Sequence, residues 1–185
     1  MSTLASRGQL RASFFRWALL TVPATMLLGF LMSRLVPSGP QNYWFMQLEM
    51  PDIMPPFWLF GLVWTILYFM MGLALALVCA AWGARGRGLA IVAFIVQFAV
   101  NLAWTPVFFG QQNIEGALIV IGTLDVLVLI TIALFWRVRR LAAILMLPYL
   151  AWALFATVLT YQFLQLNPDA GSAGSDSGAV QRMEL

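Results

Sequence analysis

The stretch "QFAVNLAWTPVFFG", Gln97 to Gly110, decides the fold of this chain. It lies inside a run of 27 residues, Gly88 to Ile114, that contains no charged side chain. About 20 apolar residues are enough to cross the hydrocarbon core of a membrane as a helix. The run nevertheless contains Gln97 and Asn101, and amide side chains are costly in lipid unless they find hydrogen-bond partners. The stretch therefore predicts a membrane-spanning helix with one face turned into the protein.

The composition extends this prediction to the whole chain. Of the 185 residues, 62% are hydrophobic and only 9% are charged, and the mean hydropathy is +0.88. Soluble globular domains carry roughly a quarter charged residues, so this chain has too few to cover a soluble surface. The length suits one bundle of helices and leaves no room for a second domain.

Uncharged runs predict five membrane-spanning helices and thus an all-α integral membrane bundle. The predicted spans are residues 14–36, a segment within 53–84, and residues 88–114, 116–136 and 141–166. This division gives a cytoplasmic N-terminal segment of residues 1–13, a five-helix domain of residues 14–166 and a tail of residues 167–185. The tail is rich in Gly, Ser and Asp and is predicted to be disordered.

A cleaved signal peptide is the alternative interpretation of the first span, because three arginines precede an apolar core. The core is long for a signal peptide, however, and the following "SRLVPSGP", residues 33–40, contains no small-x-small cleavage site. The segment is therefore counted as a span.

The arginines predict the orientation of the bundle. With five spans, one side of the membrane receives eight of the ten basic residues and no acid: Arg7, Arg11, Arg16, Arg85, Arg87, Arg137, Arg139 and Arg140. The positive-inside rule then places the N-terminus in the cytoplasm and the C-terminus outside. The chain has ten arginines and no lysine, which suggests a GC-rich genome and hence a bacterial cytoplasmic membrane. A bacterial outer membrane is the alternative.

Several kinds of chemistry have no residues to support them. The chain has no histidine and a single cysteine, Cys79, so haem ligation by histidine and an intrachain disulfide are excluded. No serine triad and no glycine-rich phosphate loop is present. We therefore expect no catalytic residue, no metal site and no covalently bound cofactor. The arginines lie in short loops and form no continuous basic face, so nucleic acid is not an expected partner, whereas the lipid bilayer is.

Aromatic and polar side chains recur at helical spacing on three of the predicted spans. At about 100° per residue, the members of each set project from one face. The sets are Gln97, Asn101, Trp104 and Phe108 on the third span, Gly61, Trp64, Tyr68 and Gly72 on the second, and Trp152, Ala156 and Leu159 on the fifth. Two interpretations are open. The faces join helices to one another, or they line a cavity for a flat, largely apolar ligand.

Two further features are not explained by lipid exposure alone. The stretch "MPDIMPPFW", residues 50–58, holds three prolines and follows the aromatic residues Tyr43, Trp44 and Phe45. It predicts a stiff loop that closes the outer mouth of a pocket. Asp125 is the one acid inside a predicted span. It faces the bundle and forms a hydrogen bond, or is protonated, or lies at a dimer contact.

Three of these stretches together carry a resemblance to a known family. "WLFGLVWTILYFMMG" (58–72), "QFAVNLAWTPVFFG" (97–110) and "PYLAWALFATVLTYQFLQLN" (148–167) resemble the signature stretches of the TspO/translocator protein family of tryptophan-rich sensory or peripheral-type benzodiazepine receptor proteins. The resemblance covers about residues 20 to 167.

The resemblance implies a tight five-helix bundle, often a homodimer, with a pocket that opens toward the loop between the first two spans. It implies porphyrin ligands such as protoporphyrin IX, haem-related tetrapyrroles and in some members sterols, and a role in stress-linked sensing, sequestration or transport. The pocket positions of the family match Trp64, Tyr68, Asn101, Trp104, Phe108, Trp152 and Ala156. Porphyrin degradation that depends on light and oxygen, and transport of a sterol or another small molecule, are the alternative functions.

The chain departs from the family pattern at three places. Pro51 is followed by Asp52 where many bacterial members carry a tryptophan linked to porphyrin breakdown. The fifth span has Thr160 after Leu159, where asparagine is usual. No basic residue lies within five positions after Tyr161, as a sterol-recognition pattern would require.

Overall fold

The structure is a computed structural model that describes residues 7–170. Within this range the chain forms helices and no β-strand. The helices are α1 (Arg7–Leu35), the short α2 (Tyr43–Gln47), α3 (Phe57–Cys79), α4 (Arg87–Thr105), α5 (Ile114–Val138) and α6 (Arg140–Leu166). A 3₁₀ turn, Gly39–Gln41, precedes α2, and a π-helical turn, Pro106–Gly110, continues α4. The five long helices are long and apolar enough to cross a membrane. The predicted all-α five-helix bundle is thus confirmed, and the chain is an integral, multi-pass membrane protein.

The helix ends follow local sequence. α3 begins directly after Pro56, whose extended backbone precedes the first helical residue. Gly86 precedes α4 with a φ of 80°, a left-handed conformation that costs glycine little. Asn113 caps α5, because its side-chain oxygen accepts a 2.7 Å hydrogen bond from the amide of Gly116. α1 begins at Arg7, earlier than the predicted residue 14, since neither Gly nor Pro interrupts the helix between residues 9 and 13.

Of the predicted tail, only residues 167–170 are described. The prediction of disorder therefore falls largely on residues 171–185, which lie outside the described residues.

Helices α1 and α3 are joined by threonines. The hydroxyl of Thr21 donates to the carbonyl of Gly72 at 2.8 Å, and that of Thr25 donates to the carbonyl of Tyr68 at 2.9 Å. A Cβ added at Gly72 would lie 2.6 Å from the Cα of Val22, so only glycine permits this approach. Gly72 therefore joins α3 to α1, which is the first of the two interpretations of its face.

The core has two parts. Near the arginine-rich loops, Phe94 stacks between Phe98 and Phe135, with ring centres 5.8 and 6.0 Å apart. At the opposite end, Phe45 of α2 contacts Phe108 and Phe163 at 6.0 and 5.5 Å. These two clusters leave a hollow between the helices on the α2 side of the bundle.

Candidate functional site

A cavity of about 300 Å³ lies at the α2 end of the bundle. Side chains of all five long helices and of the segment between α1 and α3 form its wall. The structure places all seven residues of the predicted site on this wall: Trp64, Tyr68, Asn101, Trp104, Phe108, Trp152 and Ala156. Their proximity is thus a property of the fold. Their role in binding a ligand stays a prediction.

Two pairs of stacked aromatic rings form parts of the wall. Trp64 and Tyr68 lie one turn apart on α3, and their ring centres are 5.2 Å apart. Trp104 stacks on Phe108 at 4.9 Å. Such surfaces suit a flat aromatic ligand, since offset stacking on an aromatic face is favourable.

A π-helical turn carries two neighbouring aromatic residues of the wall, Phe108 and Phe109. The amide of Gln111 donates to the carbonyl of Pro106 at 2.9 Å, a bond five residues back along the chain. The turn is therefore wider than an α-helical one, and both Phe108 and Phe109 are on the wall. The chain thus leaves α4 through a π turn that begins at Pro106.

Small residues of α6 leave the room that the aromatic residues enclose. Trp152 is held at its edge by Phe60 and Phe155, with ring centres 5.6 and 5.3 Å away. Ala153 and Ala156 follow on the same wall. Their methyl groups fill little space, so the hollow extends up to the backbone of α6.

The polar groups of the wall are few, and within residues 7–170 none of the lining residues is charged. The Tyr68 hydroxyl donates to the side-chain oxygen of Asn101 at 3.3 Å. The indole nitrogens of Trp104 and Trp152 are buried and have no hydrogen-bond partner. A buried donor without an acceptor is destabilising. A ligand that presents an oxygen or nitrogen acceptor to either indole would remove this cost.

Gln97 is the one polar residue of the predicted face that does not line the cavity, and for it the helix-joining interpretation holds. Its side chain is fully buried one turn below Asn101, where its oxygen accepts a 3.2 Å hydrogen bond from the hydroxyl of Tyr149. Tyr149 is also fully buried and is not on the wall. The pair fills the helix interface beneath the cavity, and joining helices is the role of Gln97.

Asp125 also lies apart from the cavity. It is 7% exposed at the interface of α5 and α6, and one carboxyl oxygen lies 2.7 Å from the hydroxyl of Thr157. The interpretation that it faces the bundle and forms a hydrogen bond is confirmed.

The segment before α3 covers part of the cavity mouth, as predicted, but not with all three of its aromatic residues. Phe45 is 3% exposed and lines the cavity, and Trp44 packs on Phe108 with ring centres 5.7 Å apart. Tyr43 is 80% exposed, so the prediction is wrong for this residue. The segment is tied to the bundle by Asn42, whose amide donates to the carbonyl of Phe109 at 3.2 Å.

Sequence reasoning missed the contribution of α1. Gly29, Phe30 and Ser33 line the cavity, yet no residue of the first span was assigned to the site. Gly29 was the available signal, because a Cβ at this position would overlap the ring of Tyr68. A glycine inside a membrane span often marks a close approach of two elements. In contrast, Trp58 is 67% exposed and faces away from the bundle.

Comparison with known proteins identifies a family and several relatives of this chain. The model of the TspO/MBR family matches residues 20–166. The "Tryptophan-rich protein TspO" of Chlorobaculum tepidum is 38% identical over 150 residues, which cover 80% of this chain and 94% of that protein. The "Tryptophan-rich sensory protein" of Cereibacter sphaeroides is 39% identical over 67% of this chain and 77% of its own length. The human "Translocator protein" is 35% identical over 64% and 71%.

Proposed function

The chain belongs to the TspO/MBR family, and from this premise we propose that it binds a porphyrin or related tetrapyrrole, such as protoporphyrin IX, in the cavity between its membrane-spanning helices. The bound pigment is sensed, sequestered or moved across the membrane. The names of two relatives, a sensory protein and a translocator protein, agree with such a role.

The observation that carries the proposal is the aromatic wall of an uncharged cavity. Its volume of about 300 Å³ falls at the lower end of the range of roughly 300–1,000 Å³ for small-molecule sites. The stacked pairs Trp64–Tyr68 and Trp104–Phe108 offer faces to a planar ring system. Asn101 and the unpartnered indoles of Trp104 and Trp152 offer orienting polar groups. No charged side chain lies on the wall, so ionised carboxylates of the pigment would have to lie at the mouth of the cavity.

Titration of the purified protein in lipid nanodiscs with protoporphyrin IX tests the proposal through tryptophan fluorescence. We expect saturable quenching, with affinity lowered roughly tenfold in Asn101→Ala and Trp152→Phe, because each variant removes about 1–2 kcal/mol of stacking or hydrogen bonding.

Trp58→Phe is the matched control, since Trp58 is exposed and does not line the cavity. This variant should bind as the wild type does. Quenching that never saturates, or an equal loss of affinity in Trp58→Phe and Trp152→Phe, would contradict the proposal.

A further inference from the structure

The cavity reaches the surface of the bundle along one pair of helices. Among its lining residues on the five long helices, those that are exposed lie on α1 and α3 alone: Phe30, Ser33, Phe57 and Gly61. The lining residues of α4, α5 and α6 are buried or half-buried. The opening is therefore a gap between two neighbouring helices, in addition to the mouth under the α2 segment.

The hydrogen bonds between α1 and α3 show which residues of the two helices lie at the same level. Thr21 bonds to Gly72 and Thr25 to Tyr68, so four residues forward on α1 correspond to four residues back on α3. The same register brings Ser33 level with Phe60 and Gly61. At that level a Cβ added to Gly61 would meet no atom within 4 Å. The helices are thus in contact at the threonines, whereas α1 does not cover Gly61.

The depth of Gly61 places this gap against lipid tails. α3 has 23 residues and is about 34 Å long at 1.5 Å per residue, whereas the hydrocarbon core is about 30 Å thick. Gly61 is four residues inside α3, so a centred helix puts it roughly 4 Å below the hydrocarbon boundary. The exposed lining residues Phe30 and Phe57 are 40% and 38% exposed, which gives the gap an apolar rim.

These observations together define a route. We propose that the ligand enters and leaves the cavity sideways from the bilayer, through the gap between α1 and α3 at Gly61. The site then selects molecules that are dissolved in the membrane and whose buried part carries no charge, because none of the described residues on the cavity wall is charged. This inference rests on the proposed function, since it concerns the route to the same cavity.

Binding kinetics distinguish a residue on the entry route from a residue that only contacts the bound ligand. Protoporphyrin IX is delivered in phosphatidylcholine vesicles to protein in acceptor vesicles, and tryptophan quenching is followed with time. In Gly61→Leu we expect association and dissociation both to slow by roughly tenfold, because an obstacle on the route raises the barrier in both directions. Gly61→Leu should fold, since the added side chain meets open space.

Gly122→Leu is the matched control. Gly122 also lies inside a membrane-spanning helix with no atom within 4 Å of an added Cβ, but it is not on the cavity wall. Its rates should equal those of the wild type. Unchanged rates in Gly61→Leu, or a weaker Kd with unchanged association, would overturn the proposal, because Gly61 would then be off the route or part of the binding surface.

A spin label tests the gap without any ligand. In a Cys79→Ala background, nitroxide labels are placed at Gly61→Cys, at Gly122→Cys and at Tyr43→Cys, whose parent side chain is 80% exposed. We expect the label at position 61 to be accessible to oxygen, as at 122, and shielded from a water-soluble nickel relaxant that reaches 43. Access of the relaxant to position 61 would overturn the lateral route. The label at position 61 can be accessible to oxygen and shielded from nickel while protoporphyrin IX fails to quench the wild-type protein saturably. That result would contradict the proposed ligand and support the lateral opening.

Discussion

At the scale of single residues, two glycines of the cavity wall have opposite surroundings. A Cβ at Gly29 would overlap the ring of Tyr68, whereas a Cβ at Gly61 would meet nothing within 4 Å. Both lie inside helices, where glycine costs about 0.5–1 kcal/mol relative to alanine. Gly29 is therefore needed for close packing, while Gly61 is retained at a cost in helix stability.

Alanine at these two positions should change stability in opposite directions. Gly29→Ala must displace Tyr68 and weaken its hydrogen bond to Asn101, so we expect a loss of about 1–3 kcal/mol. Gly61→Ala should leave stability unchanged or raise it by up to about 1 kcal/mol. Thermal unfolding of both variants in the same detergent measures the difference. A Gly29→Ala protein as stable as the wild type would show that α1 does not approach Tyr68 this closely.

At the scale of elements, the threonines decide how α1 is held. Their hydroxyls cross to carbonyls of α3, although each also lies within hydrogen-bond distance of a carbonyl of its own helix. Hydrogen bonds between membrane helices average about 0.6 kcal/mol and reach about 1–2 kcal/mol. Two of them, near the middle of both helices, give α1 a fixed attachment to α3.

Valine in place of these threonines should loosen α1. We expect Thr21→Val and Thr25→Val each to lower the free energy of unfolding by about 0.5–1.5 kcal/mol, since valine keeps the shape and loses the donor. Thr123→Val is the control, because Thr123 is exposed and bonds only within its own helix, to Ile119 at 2.8 Å. Equilibrium unfolding in mixed micelles measures all three. Equal losses in Thr25→Val and Thr123→Val would indicate that the interhelical bond adds nothing.

At the scale of the whole molecule, the distribution of arginine predicts one orientation. The loop of residues 80–86 and the turn at Arg139 lie at the same end of the bundle as the start of α1. The cavity lies at the opposite end. Arg87 lies over the ring of Trp82 at 4.3 Å and Arg140 over that of Trp136 at 5.8 Å, an arrangement suited to the membrane interface. The cavity mouth is then predicted to face away from the cytoplasm.

Fusion reporters test this orientation. A reporter active only in the cytoplasm should work when fused to the N-terminus and fail at the C-terminus, and a reporter active only outside should show the reverse. Replacing Arg137, Arg139 and Arg140 by Asn should weaken the preference, because it removes three of the eight basic residues on that side. A cytoplasmic C-terminus in the wild type would contradict the prediction.

The sequence by itself determined the class of the protein and the number of its spans, because each uncharged run is long enough to satisfy its own backbone as a helix in lipid. It also identified the side chains that are unusual in lipid, because amides and indoles at helical spacing lie on one face of a helix regardless of what that face contacts. Only the tertiary structure decided what each of them meets. Gln97 and Asn101 are one turn apart on the same face, yet the first is buried against Tyr149 and the second borders the cavity. The contribution of α1 and the gap at Gly61 depend in the same way on how two helices approach each other, which is a property of the pair and is encoded in neither helix alone.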